Sequence, residues 1–232
     1  MSHGDGLEGR ERMSSADGQP LPGWCAREVE DELPGLGILV TEARFMRSGA
    51  LTGDSPREIQ DRLRELSNRF RGAQAVAMRR EPVPAAYRVF FRHIGLDPDV
   101  VRTPIEAAVL ERMVHGGFRT GGLLEDVLRI ALLDTGVPVW ALDASTVDGP
   151  LGIRPSSEGE PLGRGPDAPL LPAGRLVVAD ASAALAVLFG GLAPKHEPAA
   201  GTRRLELFAV RVAGVPALYA EEALWSACAA LE

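Results

Sequence analysis

The chain has 232 residues, of which 45% are hydrophobic, enough to bury a substantial core as one compact domain or two intimate layers. Its formal net charge of −7 argues against a broad basic surface that holds nucleic acid by counterion release alone, and leaves room only for a local Arg-lined cleft. No apolar run reaches the roughly 18 residues of a membrane span, and the N-terminus lacks the basic, apolar and small-residue order of a signal peptide, so a cytoplasmic protein without membrane attachment is expected.

The 26 Gly and 18 Pro suit a protein rich in turns rather than a helical bundle. Lys195 is the single lysine among 25 basic residues, the others being Arg, a bias that resembles GC-rich coding as much as function. Cys25 and Cys228 sit at opposite ends without metal or redox spacing and read as free thiols of a reducing compartment.

Residues Met1 to about Pro22 carry Gly, Ser and charge with almost nothing to bury, and read as a disordered tail ahead of a single domain over 23–232. Gly37–Thr41 is a first strand after the Pro34-Gly35 turn. Asp54-Ser-Pro-Arg-Glu58 predicts a helix start, with Ser55 as cap, Pro56 at the first helical position and Glu58 closing a capping box. Ile59, Leu63, Leu66 and Phe70 then recur at helical spacing, while Arg62, Arg64, Arg69 and Arg71 fall on the other faces. A second helix is expected over Pro84–Ile94, closed by Gly95, and a third from the capping signature Thr103-Pro-Ile-Glu106 to Gly116. Leu123–Asp134 is the fourth.

Short apolar runs follow at Val137–Asp143, Leu151–Arg154, Arg175–Ala181, Leu185–Phe189 and Leu205–Val212, split by Gly/Pro turns, and these are strands by length and composition. Pro216–Leu231 closes the chain as a helix. Helices mostly in the first half and short strands in the second make the fold class α+β, a mixed α/β domain. Four scattered His and two distant Cys give no metal-ligand spacing, and neither a P-loop nor a dinucleotide fingerprint is present, so no metal or cofactor is expected.

A series of motifs gives the chain a family likeness: Ala86-Tyr-Arg-Val-Phe-Phe-Arg-His-Ile-Gly-Leu-Asp-Pro98, Arg119-Thr-Gly-Gly-Leu-Leu-Glu-Asp126 and Thr135-Gly-Val-Pro-Val-Trp-Ala-Leu-Asp143. Gly159-Glu160, Gly174-Arg-Leu-Val-Val-Ala-Asp180, Phe189-Gly190-Gly191 and the strand after Thr202 continue it. Each motif alone is weak, but in this order they resemble the B3/B4 domain, the editing domain of the phenylalanyl-tRNA synthetase beta subunit, which also occurs as free-standing proteins. The likeness covers roughly Ala86 to Val212 and implies a central cleft where the ester of a wrongly charged tRNA is hydrolysed.

In that family the cleft is lined by a Thr-Asn pair on a helix, the His of a His-Ala-Phe-Asp segment, a Gly-Gly loop and a Glu on a later strand. Matched to this sequence, the Thr-Asn pair becomes Leu128-Arg129 and the His becomes Trp140, whereas Asp143 and Gly190-Gly191 are retained. Counting from the Gly-Gly pair puts the acid at Glu206, and counting from Thr202 puts it at Phe208. Both face the same way on a strand.

Each of these residues also has a plain structural reading. Trp140 is either core or a stacking wall for a base or an aromatic substrate. Arg129 either pairs internally with Asp126 or Asp143 or meets a phosphate or carboxylate ligand. Asp143 and Asp180 end strands, where Asp caps turns, and Gly190-Gly191 is a turn or a place of close ligand approach. His196, in the loop Ala193–Pro198 with Lys195, is either part of a flexible polar loop or a group at the cleft mouth.

The resemblance implies tRNA, or the 3′ end of aminoacyl-tRNA, as partner, and two functions. The first is a deacylase acting in trans, with Gly190 and Gly191 amides polarising the ester, Glu206 or His196 positioning water, and Arg129 holding a phosphate. The second is a non-catalytic module that keeps the fold and binds tRNA ends, an amino acid or a protein partner. A complete synthetase is not expected in 232 residues.

Overall fold

The computed structural model describes residues 19–47 and 49–232. Helices and sheets alternate more than the sequence order suggests, and the class is mixed α and β as expected. Most of the expected tail lies outside the described residues. Its last two residues do not belong to a tail: Leu21–Pro22 is a strand, β1, paired with Val40 and Leu39.

After Trp24–Cys25 (β2) and Arg27–Glu32 (α1), Gly37–Arg44 forms β3, three residues longer than its apolar run. Next come α2 (Arg57–Arg69), α3 (Ala73–Ala77), α4 (Pro82–His93), α5 (Pro104–His115) and α6 (Leu123–Thr135). The second half supplies β4 (Val139–Asp143), β5 (Gly152–Pro155), β6 (Glu160–Pro161), β7 (Leu170–Leu171), β8 (Leu176–Ala179), β9 (Ala184–Val187), β10 (Arg204–Arg211) and α7 (Ala217–Leu231).

One four-stranded sheet has the order β1-β3-β10-β4 and a second has β2-β5-β8-β9, with β6 and β7 as a separate pair. β10 runs antiparallel to both β3 and β4, so the last long strand is central although the chain reaches it late. Helix α7 lies against β3, β10 and α6. A single apolar cluster draws on residues from Val29 to Leu231, and a small satellite of Leu162, Leu171, Val177, Ala179, Ala184 and Ala193 sits at the outer side of the second sheet's β8–β9 hairpin.

The start of α2 corrects the capping expectation. Pro56 is the cap and Ser55 does not serve the helix amides; its hydroxyl donates to Asp126 Oδ2 at 2.5 Å, and its carbonyl accepts from Gln60 Nε2 at 2.7 Å. Glu58 pairs with Arg47 instead of closing a box. The reason is Asp126, a buried carboxylate that must find donors and takes them from Ser55 and the Gly121 amide. Helix α4 begins at Pro82 rather than Pro84, because first-turn positions have no intrahelical use for an amide and tolerate both prolines.

The Thr103 signature behaves as expected. Glu106 Oε2 accepts from the Thr103 hydroxyl at 2.9 Å and from its amide at 3.3 Å. The same carboxylate receives Arg88 at 2.5 Å and Arg79 at 2.9 Å while its side chain is only 1% exposed, tying α4 to α5.

Replacing Glu106 by Ala leaves Arg88 with Asp99 alone and the Thr103 amide without its acceptor. We expect a loss of about 3 kcal/mol in urea denaturation. A cost under about 1 kcal/mol, typical of an exposed pair, contradicts this assignment.

Candidate functional site

The antiparallel register sets Trp140 of β4 directly opposite Phe208 of β10. Their rings stack 5.4 Å apart at 11°, and Phe189 meets the indole edge-on at 5.9 Å. Phe189 also touches Tyr87, Phe90 and Phe91 of α4 at 5.3–5.8 Å between ring centroids. The Tyr87 hydroxyl, on a buried ring, donates to Val210 O at 2.6 Å and anchors α4 to β10. Six aromatic side chains from α4, β4, β10 and the turn after β9 therefore meet around Phe189.

That turn is unusual. Phe189 adopts φ 57°, a left-handed conformation that a bulky residue reaches at a cost of about 1–3 kcal/mol. Its ring contacts hold it there. Beside it, the Gly190 amide donates to Val187 O at 2.8 Å and Val187 N donates to Gly191 O at 3.0 Å, closing the turn. A Cβ at Gly190 would stand 2.9 Å from Val187 Cβ, so the glycine is required by packing. The Gly190 amide is occupied within the protein, whereas Gly191 is exposed with open space around it.

A second group lies where β4 ends. Asp143 Oδ1 accepts from the Ser145 amide at 2.9 Å and hydroxyl at 2.6 Å, and Oδ2 accepts from Thr202 Oγ1 at 2.6 Å. Burial acts to raise this carboxyl, but the Ser145 and Thr202 bonds outweigh it and hold it below the ordinary carboxylate value. The Asp143 amide donates to His196 O at 2.9 Å, which brings the 193–198 loop to the strand end.

His196 is 3% exposed, so its loop is not the flexible polar segment that the sequence allows. Its Nδ1 lies 3.0 Å from Thr146 Oγ1, whose own proton goes to Asp143 O at 2.8 Å. Thr146 is thus the acceptor in the first bond and His196 carries its proton on Nδ1. Burial and the nearby Arg164 guanidinium lower the imidazole's proton affinity, and Asp180 only partly offsets them. Asp180 itself accepts from the amides of Asp148, Ser182 and Ala183 and from Arg164, the turn-capping role expected of it.

Glu206 faces Glu42 of β3 and Leu142 of β4 across the sheet. Arg204 binds Glu42 through two bonds of 2.8 and 2.9 Å, with Glu206 adding to the field that stabilises its charge. Phe208, two residues on, is fully buried in the ring stack. Glu206 is therefore the only one of the two aligned positions that carries a carboxylate near the strand end.

Arg129 pairs with neither Asp126 nor Asp143. Its guanidinium donates to Arg119 O and to the Glu125 carboxylate, with Glu111 at 3.9 Å, and its side chain is 11% exposed. The i,i+4 geometry with Glu125 outcompetes Asp126, whose oxygens are already taken by Ser55 and Gly121. The structure thus brings Trp140, Phe208 and the Gly190 turn together, links Asp143 to His196, and ties Arg129 to α5 and the residues before α6.

The sequence gives no signal for Thr146 or Arg164, and marks Thr202 only as the start of a strand rather than as a partner of Asp143. Phe189 stood in view beside the Gly-Gly pair, but only its left-handed backbone, set by long-range ring contacts, makes it central. Among the described residues no group of His, Cys, Asp and Glu is arranged to hold a metal ion, and no helix is long and apolar enough to cross a membrane.

No family model matches the sequence. Individual proteins do. The phenylalanine–tRNA ligase beta subunit of Xanthomonas euvesicatoria pv. vesicatoria is 37% identical over 108 residues, 42% of this chain and 12% of that protein. The corresponding subunits of Xanthomonas oryzae pv. oryzae and Xylella fastidiosa are 39% and 36% identical over 104 and 107 residues, with the same coverage. Part of this chain is related to the phenylalanine–tRNA ligase beta subunit. The relationship spans about an eighth (12%) of those subunits, so it identifies a synthetase-related region and not a whole enzyme.

The lowered proton affinity of His196 has a pH consequence. The stability it provides is complete above the unfolded His value of about 6.5 and is lost as pH falls through the lower folded value. Urea midpoints measured from pH 7 down to about 5 should decline in the native chain, and more gently in His196→Gln, which keeps a donor for Thr146. Equal slopes in the two proteins contradict the assignment.

Proposed function

We propose that this chain is a B3/B4-like module that binds the 3′ end of tRNA or aminoacyl-tRNA and does not hydrolyse the ester. The observation that carries this reading is the ring stack at the position that the resemblance assigns to the editing residues. Trp140 and Phe208 present hydrocarbon where a hydrolytic site needs polar groups to hold a water, and a water needs two to four such partners. The Gly190 amide already serves Val187 O, which removes one donor from any oxyanion site. A partly buried indole supported from behind by a second ring is suited to stack a terminal base, an interaction indifferent to sequence. The related region in phenylalanine–tRNA ligase beta subunits supplies the link to tRNA.

A second reading, deacylation in trans, has its own support. Asp143 binds the His196 backbone and stands opposite Leu205, the neighbour of Glu206, so an imidazole and a carboxylate lie at the same end of two paired strands. In that reading Glu206 or His196 positions the water, and Gly191 supplies the free amide.

One set of measurements separates the two. On the binding reading, a panel of mischarged tRNAs is hydrolysed no faster than in buffer, and tRNA binding measured by fluorescence anisotropy weakens about tenfold in Trp140→Ala, the value of one base–aromatic stack. Trp140→Phe should restore most of it, which excludes simple unfolding. Ester hydrolysis that disappears in Glu206→Gln or His196→Ala overturns the binding reading in favour of the deacylase. Absence of tRNA binding by the native chain overturns both.

A further inference from the structure

A small hollow of about 40 Å³, separate from the ring stack, lies between the 163–168 loop and the Ala193–His196 loop, lined by Arg164, Gly165, Asp167, Ala168, Pro194 and Lys195. We propose that it is a binding site for a phosphate group, held by Arg164 and Lys195. The argument rests on these residues and is independent of any tRNA function.

Arg164 is fixed before any ligand arrives. Its Nη1 donates to Thr146 O at 2.6 Å, and its Nη2 donates to Asp180 Oδ2 and Ser182 Oγ, both at 2.5 Å. A guanidinium carries five N–H groups. Three are accounted for, leaving Nε–H and one Nη1–H without a partner among the described residues. A preset fork with spare donors suits a tetrahedral oxyanion.

Lys195 faces it across the hollow and forms no ion pair among the described residues, although Asp167 lines the same space. Two features set this lysine apart. It is the only Lys in a chain whose other basic residues are all Arg, so the compact ammonium is an exception to a strong compositional habit. It also sits at φ 69°, a left-handed conformation in which Gly would be favoured. The ammonium passes over Gly165, with Nζ 3.4 Å from where a Cβ at that glycine would stand.

Strained backbone under a charged side chain is the pattern of a position kept for its head group. Asp167 is the one group of the hollow that opposes an anion, and this gives the proposal a test of sign.

Isothermal titration of the full chain with inorganic phosphate and with adenosine 5′-monophosphate, adenosine serving as control, tests the site. Both phosphates should bind saturably and adenosine should not; binding by inorganic phosphate alone marks the free anion as the ligand, and tighter binding by the nucleotide marks a phosphate ester. Lys195→Gly should leave the thermal midpoint unchanged or raise it, because it relieves the backbone, while weakening phosphate about fivefold or more. Asp167→Asn should tighten it by a similar factor, and both effects should shrink as salt is added. No saturable phosphate binding, or binding that neither substitution changes, overturns the proposal.

Discussion

The position of β10 between β3 and β4 is the constraint from which the rest of this structure follows. The strand pairs along its whole length with β3 and over five residues with β4, both antiparallel. A one-residue slip would turn every side chain to the opposite face. The register that buries Leu205, Leu207 and Ala209 is therefore also the register that sets Phe208 on Trp140 and Glu206 beside Glu42. Core burial and site geometry are the same choice here. Tyr87 fixes α4 to that strand through Val210 O, which in turn delivers Phe90 and Phe91 to the ring cluster.

Buried acids form a second level of organisation. Glu106, Asp126 and Asp180 are each enclosed, and each draws its partners from different segments of the chain. Asp126 joins the residues before α2 to the start of α6, Glu106 joins α4 to α5, and Asp180 joins the end of β8 to Asp148 and Arg164. An unpaired carboxylate in such a place is costly. The loops are thereby pinned by carboxylates whose oxygens are engaged with other segments of the chain.

Much of this was legible in the sequence. The Thr103-Pro-Ile-Glu106 signature is local, and the helix it announces begins where its residues say. The apolar runs from Val137 to Val212 are short and flanked by turns, and they became strands with edges shifted by a residue or two. Ser55 carried an equally good local signal and was drawn away by Asp126, seventy-one positions distant, which no window of sequence can register. The two-residue strands β1, β2, β6 and β7 have no periodicity to detect. For the site, identities were readable and partners were not: that an indole stands in an apolar strand at 140 is visible in one line of sequence, but that Phe189 packs against it depends on a backbone angle held by ring contacts from distant segments.

The ring cluster also limits which side chains this part of the molecule tolerates. Packing the Trp140 indole against Phe208 and Phe189 buries hydrocarbon, which is favoured by about 25 cal/mol for each Å² removed from water. The conformational cost at Phe189 is offset by the same contacts. A polar side chain in place of Phe208 would stand among rings with no hydrogen-bond partner. Several positions must change together before water can be held there. The stack therefore resists single polar substitutions, and what Trp140 offers at its accessible side is a ring face rather than a bound water.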